Sequence, residues 1–166
     1  MKISHCLRWI VAALVSVAGI ASAQTNLIRN GSFASGTNGW QLYAAPAVKY
    51  VLTTNTPDGS TGVIVSNRNN VRSLSQDITA ALTNGTGANG RSYTTSYRLL
   101  PQSVPTSTRC ALYLYYLTGA QKLILADQVA RTNGAWLDVR GTMPVAWTNG
   151  LTSAVFSMEA GQPWEA

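Results

Sequence analysis

The segment TRCALYLYYLT at residues 108–118 decides the fold, because it is the longest uninterrupted run of strand-favouring residues after the N-terminal segment. Successive side chains of a strand point to opposite faces. One face carries four residues that we predict to be core: Cys110, Leu112, Leu114 and Tyr116. The other face carries Arg109, Ala111, Tyr113, Tyr115 and Leu117. This second face is either covered like the first, as in a central strand, or it forms the floor of a groove.

Short alternating runs surround this segment, separated by turn residues rich in Gly, Pro and Asn. Residues 151–159 place Val155, Ser157 and Glu159 on the face opposite Phe156 and Met158. Further strands are predicted at residues 26–33, 41–53, 62–67, 92–100, 121–131 and 135–143, with a polar loop at 68–75. No convincing amphipathic helix follows the N-terminal segment. The pattern predicts an all-β fold, a β-sandwich or jelly roll.

The N-terminus has the features of a secretion signal. Lys2 and Arg8 precede an apolar core at residues 9–20, and Ala21-Ser22-Ala23 forms an A-x-A cleavage site. The apolar run is shorter than the roughly 20 residues that a spanning helix needs. We therefore predict a signal peptide at residues 1–23, bacterial export with cleavage after Ala23, a secreted mature domain at residues 24–166, and no membrane association of the mature form.

The mature composition excludes several classes of function. Removal of Lys2 and Arg8 lowers the basic residues from 12 to 10 against 6 acidic residues, a formal charge of +4 without a basic cluster. This is weak support for acidic glycans and hardly any for nucleic acid. His5 and Cys6 leave with the signal, so the mature chain has no histidine and a single cysteine, Cys110. A serine–histidine or cysteine–histidine pair, an internal disulfide and a thiolate–imidazole zinc site are thereby excluded.

Five motifs together resemble the carbohydrate-binding modules of families 4, 9 and 22, and the xylan-binding family-22 type most. They are NLIRNGSFASGTNGW at 26–40, VSNRNNVRSLSQDI at 65–78, GRSYTTSYRL at 90–99, GAWLDVRGTMPV at 134–145 and LTSAVFSMEAG at 151–161. Each motif is weak alone, whereas their order and spacing are fairly specific. The resemblance implies a jelly-roll β-sandwich, galactose-binding-domain-like, with a concave ligand face. It also implies that the closing strand of the module is missing from the chain.

The resemblance implies a ligand role for Glu159, which matches a family glutamate that hydrogen-bonds sugar hydroxyls. Tyr43 and Arg72 stand at or near positions of a family cleft arginine and tryptophan. Two family cleft tyrosines fall at about Leu123 and at Ser157, so the cleft departs from the pattern. From the central strand we add Tyr113 and Tyr115 as sugar platforms, because flat aromatic faces cover the apolar faces of pyranose rings. The predicted ligand-binding set is Glu159, Tyr115, Tyr113, Tyr43 and Arg72.

Other side chains have a structural interpretation. Trp40 and Trp136 match positions that we expect in the core, Trp147 fits either core or groove, and Arg98 is expected to be a solvated surface charge. Many members of the resembled families hold a structural calcium through a glutamate after the first phenylalanine, where this chain has Ala34 after Phe33. We predict no metal and no cofactor, with a structural calcium as the alternative.

The predicted function is non-catalytic binding of a plant cell-wall polysaccharide, xylan or β-glucan, by an exported module that targets an associated glycoside hydrolase. Its partners would be the polysaccharide and a covalently linked hydrolase domain in a longer gene product. Glycoside hydrolysis usually needs two opposed carboxylates, and only Glu159 has a placement that suggests a groove, so we predict no enzyme activity. The alternative is a β-sandwich interaction or structural domain that has lost sugar binding.

Overall fold

A computed structural model describes residues 26–42, 49–66, 72–84, 88–100, 106–132 and 134–160. Within these ranges the chain is almost entirely β-strand, with one five-residue helix, α1 at Thr79–Thr83. Helical structure long and apolar enough to span a bilayer does not occur in these ranges. The strands are β1 (Gln41–Leu42), β2 (Lys49–Thr53), β3 (Gly62–Ser66), β4 (Arg72–Asp77), β5 (Arg91–Leu99), β6 (Thr106–Tyr116), β7 (Gly119–Ala130), β8 (Leu137–Val145) and β9 (Leu151–Ala160).

The largest sheet is antiparallel and has the strand order β1-β4-β9-β6-β7. We call it the main sheet. Strands β5 and β8 pair antiparallel with each other and pack against β7, and β2 and β3 form a separate hairpin. The predicted all-β class and the sandwich are confirmed. Strand β6, which contains the segment used to predict the fold, lies between β9 and β7 near the centre of the main sheet.

The core lies between the inner face of the main sheet and the β5–β8 pair. Strand β6 contributes Cys110, Leu112 and Leu114, all almost fully buried, as the alternation predicts. Val139 and Val145 of β8 belong to the same apolar cluster. On β5 the residues at positions 93, 95, 97 and 99 are less exposed than those that alternate with them. The hydrophobic effect on this inner layer is the main stabilising contribution to the fold.

A bulge in β7 changes which of its side chains face the core. Cys110 pairs with Ala126, whereas the next β6 residue, Ala111, pairs with Ile124, so Leu125 is the extra residue. Leu125 is buried with Ala126. At the bulge β8 approaches so closely that a Cβ on Gly141 would lie 2.0 Å from the Leu125 carbonyl oxygen. Glycine at this position is therefore a packing requirement.

Two local predictions of secondary structure were wrong. Residues 26–33 form turns instead of a strand, because Asn30 and Phe33 have positive φ angles of 50° and 53°. These turns are held by the buried Gln76 amide, which accepts from the Arg29 N–H at 2.7 Å and donates to the Arg29 carbonyl at 2.9 Å. Positions 72–75, predicted as loop, belong to β4. The chain then enters α1, where Asp77 Oδ1 accepts the backbone N–H of Thr79 at 2.8 Å.

The tryptophans divide between core and surface. Trp40 packs on the core cluster as predicted, stacked on Phe33 with ring centroids 5.4 Å apart and edge-on to Phe156 at 6.3 Å. Trp147 also packs against the core. The core prediction for Trp136 was wrong: it is 40% exposed, immediately before β8 begins. Its place in a turn, outside the strand alternation, leaves the ring partly in solvent.

Candidate functional site

The outer face of the main sheet carries the candidate site, in rows of side chains that cross the strands. One row joins Glu159, Arg109 and Asp127, from β9 through β6 to β7. The next row, in the direction of the β6–β7 turn, contains Ser75, Ser157, Ala111 and Ile124. A third row contains Asp77, Val155, Tyr113 and Lys122. Register thus places the predicted glutamate and tyrosines on one face, because directly paired residues share a side of the sheet.

The Glu159 carboxylate lies on this face near the end of β9 and is buried, with its residue 2% exposed. The hydroxyl of Tyr113 donates to Glu159 Oε1, and the Lys122 ammonium donates to Glu159 Oε2 at 2.7 Å. Both carboxylate oxygens therefore have a partner. A buried carboxylate is tolerated when its charge is paired and its oxygens are hydrogen-bonded, as here.

The three bonded side chains cross the middle row. Glu159 belongs to the first row, whereas Tyr113 and Lys122 belong to the third. Between them lie Ala111 and Ser157, which are 0% and 1% exposed although they are on the outer face. Small side chains in the middle row leave room for the longer ones to meet above it. We call Glu159, Tyr113 and Lys122 the polar bridge.

Lys122 is bound to both other members of the polar bridge. Its Nζ lies 5.1 Å from the centroid of the Tyr113 ring, a cation–π contact, in addition to the ion pair with Glu159. Partial burial lowers the pKa of Lys122, but the hydrogen bonds to Glu159 and Tyr113 outweigh burial, so the pKa lies above its ordinary value. Lys122 is consequently a permanent cation at neutral pH.

The two predicted tyrosines form a nearly parallel aromatic pair. Tyr113 and Tyr115 have ring centroids 6.2 Å apart and ring planes inclined by 17°. They are two residues apart on β6, so the strand itself sets their spacing. Both are half-buried, which leaves aromatic surface at the outer face. The pair can present flat apolar surface next to the polar bridge.

Two polar atoms beside the polar bridge have no hydrogen-bond partner in the described part of the chain. They are the buried Nε of Arg109 and Oγ of Ser157. Arg109 makes an ion pair of 3.7 Å with Asp127, which is beyond hydrogen-bonding distance. Unpaired buried polar groups are uncommon in folded proteins. Their occurrence together on this face distinguishes it from the apolar inner face.

The structure brings three predicted site residues together: Glu159, Tyr113 and Tyr115. Arg72 is the register partner of Glu159 on β4, but its side chain lies outside the described part of the structure. Tyr43 also lies outside the described residues. None of these residues has been tested for ligand contact, so the binding set stays a prediction.

Sequence reasoning missed Lys122 and placed a family cleft position at about Leu123. Leu123 packs against the core cluster instead, and Lys122 stands opposite Tyr113 on the outer face. The position at about Leu123 was inferred from the family resemblance, which is off by one residue relative to the outer face. The bulge at Leu125 reverses the face only of later residues of β7, so a count forward from the turn, where Tyr116 pairs with Gly119, would have placed Lys122 correctly.

Other acidic residues are engaged elsewhere. Asp138 receives Arg98 Nε at 2.9 Å on the exposed side of β5 and β8, which confirms Arg98 as a surface charge. Asp58 caps its own turn through Ser60 N–H at 3.1 Å. Among the described residues, groups of three or more His, Cys, Asp or Glu side chains able to hold a metal ion do not occur.

Comparison with known proteins gives the family. The family profile described as a carbohydrate binding domain, covering families 4 and 9, matches residues 25–165. No curated protein sequence matches the chain. This profile spans most of the chain, and it describes binding modules without catalytic activity, so the prediction of a non-enzyme is confirmed.

Solved structures with the same fold include modules of family 22. The tandem family-22 modules of Paenibacillus barcinonensis xylanase 10C give a TM-score of 0.63 at 12% identity, over 87% of this chain and 44% of theirs. The family-22 and family-10 hydrolase modules of Clostridium thermocellum xylanase 10B, complexed with xylohexaose, give 0.58 at 14% identity, over 76% and 24%. The first xylan-binding family-22 domain of the Paenibacillus enzyme gives 0.57 at 18% identity, over 78% and 80%.

The chain therefore spans less than half of the longer structures and most of the single domain. These identities support the fold, and the profile supports the family. The resemblance read from the five sequence motifs is confirmed by both comparisons. The chain belongs to the carbohydrate binding domain family, as a β-sandwich of the type found in family-22 modules.

Proposed function

We propose that the chain binds a plant cell-wall polysaccharide, xylan or a β-glucan, on the outer face of the main sheet. The observation that carries the proposal is the nearly parallel pair of Tyr113 and Tyr115 next to the polar bridge. Pyranose rings have apolar faces that pack on aromatic rings and hydroxyls that need polar partners. The outer face offers both within one sheet.

The related structures support the choice of ligand class. The Paenibacillus domain is described as xylan-binding, and the Clostridium structure contains xylohexaose together with a family-10 hydrolase module. By analogy, the chain would hold a linked or associated hydrolase on its substrate. Such tethering raises the effective concentration of the enzyme at the polymer without any new contact to the scissile bond.

Affinity electrophoresis tests the proposal. The protein is run through gels containing xylan, mixed-linkage glucan or glucomannan. We expect retardation on at least one polymer, and about tenfold weaker binding for Tyr115→Ala, since loss of one aromatic platform removes roughly 1.4 kcal/mol. Tyr50→Ala, on the separate β2–β3 hairpin, is the matched control and should bind like the wild type. Undiminished binding by Tyr115→Ala would place the ligand elsewhere.

A second candidate function is an interaction domain that has lost sugar binding. The observation in its favour is that both Glu159 oxygens are engaged and the side chain is 1% exposed, so the glutamate has no free acceptor facing solvent. By the resemblance, Ser157 also stands where related clefts carry a tyrosine. Absence of retardation by every polymer, from a protein shown to be folded, would favour this alternative.

Export belongs to the same proposal. The positively charged start, apolar core and A-x-A site at residues 1–23 support cleavage before Gln24 and an extracellular polysaccharide partner. N-terminal sequencing of protein secreted by a bacterial host tests it directly. We expect a first residue of Gln24. A cell-associated protein that retains residues 1–23 would contradict export and cleavage.

A further inference from the structure

The exposed polar groups beside the tyrosine pair are cationic. The Lys122 side chain is 38% exposed and that of Arg109 is 31% exposed, whereas the Glu159 side chain, in the same row as Arg109, is 1% exposed. The exposed carboxylate of this row is that of Asp127, 48% exposed, which is the ion-pair partner of Arg109. Beside Tyr113 the accessible polar group is the Lys122 ammonium, a hydrogen-bond donor.

Lys122 retains capacity to bind a further group. Its ammonium has three donors, of which one is used by Glu159 Oε2 at 2.7 Å and a second is directed at the Tyr113 hydroxyl. The third donor is left for a ligand, and the side chain is 38% exposed, so an acceptor on a ligand can reach it.

Arg109 is less well satisfied than Lys122. Its one ion pair, with Asp127, is 3.7 Å long, and its buried Nε has no hydrogen-bond partner among the described residues. A guanidinium presents five donors in a planar fork that fits a carboxylate. Because Arg109 is the register partner of Glu159, it borders the polar bridge on the side away from Tyr113.

The acidic residues of the outer face do not cancel this donor surface. Glu159 is buried, as described above, and Asp127 is the loose partner of Arg109. Asp77 lies on the β4 side, where its Oδ1 accepts both the N–H and the hydroxyl of Thr79 at 2.8 Å and 2.6 Å. Lys122, opposite Tyr113, is thus next to a carboxylate that is buried, whereas Arg109 is accompanied by Asp127, which is 48% exposed and 3.7 Å away.

We propose that this face selects polysaccharides that carry uronic acid residues, whose carboxylate is bound by Lys122 and Arg109. The inference rests on the proposed function and names its ligand class more narrowly. Neutral sugar hydroxyls both donate and accept, whereas donor-only cations are matched best by an anionic acceptor. The carboxylate can come from glucuronate side groups on xylan or from galacturonate in pectic polymers.

The test compares each acidic polymer with its own carboxyl-reduced form, in which the carboxylate becomes a primary alcohol and the backbone is unchanged. Glucuronoxylan and polygalacturonate, native and reduced, are titrated against the full protein at 0.05 M and 0.5 M NaCl as chosen conditions. We expect about fivefold tighter binding of the native form of one polymer at low salt. The preference should shrink at high salt, because exposed charges are screened. The two polymer pairs separate glucuronate from galacturonate.

Variants assign the preference to the cation. Lys122→Met keeps the aliphatic stem and should bind native and reduced polymer equally, whereas Lys122→Arg keeps the charge and should keep the preference. Lys49→Met, an exposed lysine on the β2–β3 hairpin, is the matched control and should behave like the wild type. The wild-type comparison of native and reduced polymer needs no variant, so it decides even if Lys122→Met does not fold.

Three outcomes overturn the inference. Equal binding of native and reduced polymers by the wild type would refute it and leave the proposed function intact. Retention of the full preference by Lys122→Met would also refute the assignment to this face. Absence of binding to all four polymers and to neutral xylan and glucan would refute the proposed function itself, and the inference with it.

Discussion

Strand β6 is buried on both faces, but for different physical reasons. On the inner face Leu112 and Leu114 are enclosed by apolar side chains of the opposite layer. On the outer face Ala111 is just as inaccessible, yet it lies in the row crossed by the polar bridge of Glu159, Tyr113 and Lys122. The two faces of β6 are therefore closed in different ways. We call the apolar packing around Leu112 and Leu114 the inner seal, and the polar bridge above Ala111 the outer seal.

The difference between the two faces indicates on which of them contacts can be lost or replaced without unfolding the domain. Apolar burial depends on area and close packing, so opening the inner face exposes the whole core. The outer seal depends on a few directional contacts made by long side chains. One of these side chains, that of Lys122, is 38% exposed. Water or a ligand hydroxyl can replace such contacts one at a time. A binding surface is accordingly expected on the outer face.

The largest expected effect comes from overfilling the inner side at Gly141. In Gly141→Ala the new Cβ would meet the Leu125 carbonyl oxygen at 2.0 Å and Ala126 at 3.0 Å, and both contacts are with backbone atoms. Strands β7 and β8 would have to separate, so we expect at least about 3 kcal/mol of destabilisation or failure to fold. Chemical denaturation measures the loss.

Gly31→Ala is the control for this prediction. A Cβ there would have ordinary contact with Ile28 at 3.7 Å, and Gly31 does not have a positive φ. We expect its free energy of unfolding to stay within about 1 kcal/mol of the wild type. Equal stabilities of the two alanine variants would mean that β7 and β8 are not in close contact at the bulge.

Leu114→Ala should have the next largest effect, since it empties the inner seal without touching the outer one. Leu114 is fully buried within the apolar cluster, and its truncation leaves a cavity. We expect a loss of about 3 kcal/mol in the free energy of unfolding. Polysaccharide affinity of the folded fraction should be unchanged, and a large fall in affinity would show that the two faces are not independent.

Glu159→Gln tests the outer seal with a smaller expected loss. The amide keeps an acceptor for Tyr113 but removes the anionic partner of Lys122. Because Lys122 is partly solvated, water can take over that side, and we expect roughly 1.5 kcal/mol of destabilisation. A loss as large as that of Leu114→Ala would mean that the outer face is as essential to folding as the core.

Much of the fold follows from the sequence because alternation reports burial wherever a strand is regular. The inner set of β6, and the orientation of Glu159 away from Phe156, were predicted from period-two patterning alone and are confirmed. The Asn30-Gly31 pair indicated a turn within residues 26–33, but the apolar residues before it were wrongly predicted to form a strand. There the backbone is held by Asn30, whose amide donates to the Gly36 carbonyl at 2.8 Å, and by contacts with distant Gln76.

The site was only partly predictable. Tyr113, Tyr115 and Glu159 lie on regular strands, so their common face follows from alternation once β6 and β9 are paired. Lys122 precedes the bulge at Leu125, so its place opposite Tyr113 follows from the β6–β7 turn, whereas the face of Asp127 beyond the bulge could not be predicted from alternation. The sequence also does not show that both Glu159 carboxylate oxygens are hydrogen-bonded within the protein. These bonds pass over the small residues Ala111 and Ser157, and the position of those residues follows only from the pairing of the strands.

The smallest expected effect is the pH dependence of the outer seal. The pKa of Lys122 is raised above its ordinary value of 10.5. Protonated Lys122 therefore stabilises the folded state, fully below its unfolded-state pKa, and this contribution disappears as pH rises through the higher folded-state pKa. We expect the stability difference between wild type and Lys122→Met to fall by less than about 1 kcal/mol from pH 7 to alkaline pH, because the ammonium is partly exposed.

Denaturation of wild type, Lys122→Met and Lys49→Met from pH 7 to strongly alkaline pH measures this difference, with groups common to all three proteins cancelling. Cys110 on the inner face provides a pH effect that all three proteins share, since burial raises the pKa of its thiol to about 12. That shift destabilises all three proteins equally at alkaline pH, whereas only the wild type and Lys49→Met lose the Lys122 contribution. A gap between wild type and Lys122→Met that widened with pH would show that Lys122 is not held by Glu159, and the outer seal would then have to be attributed to Tyr113 alone.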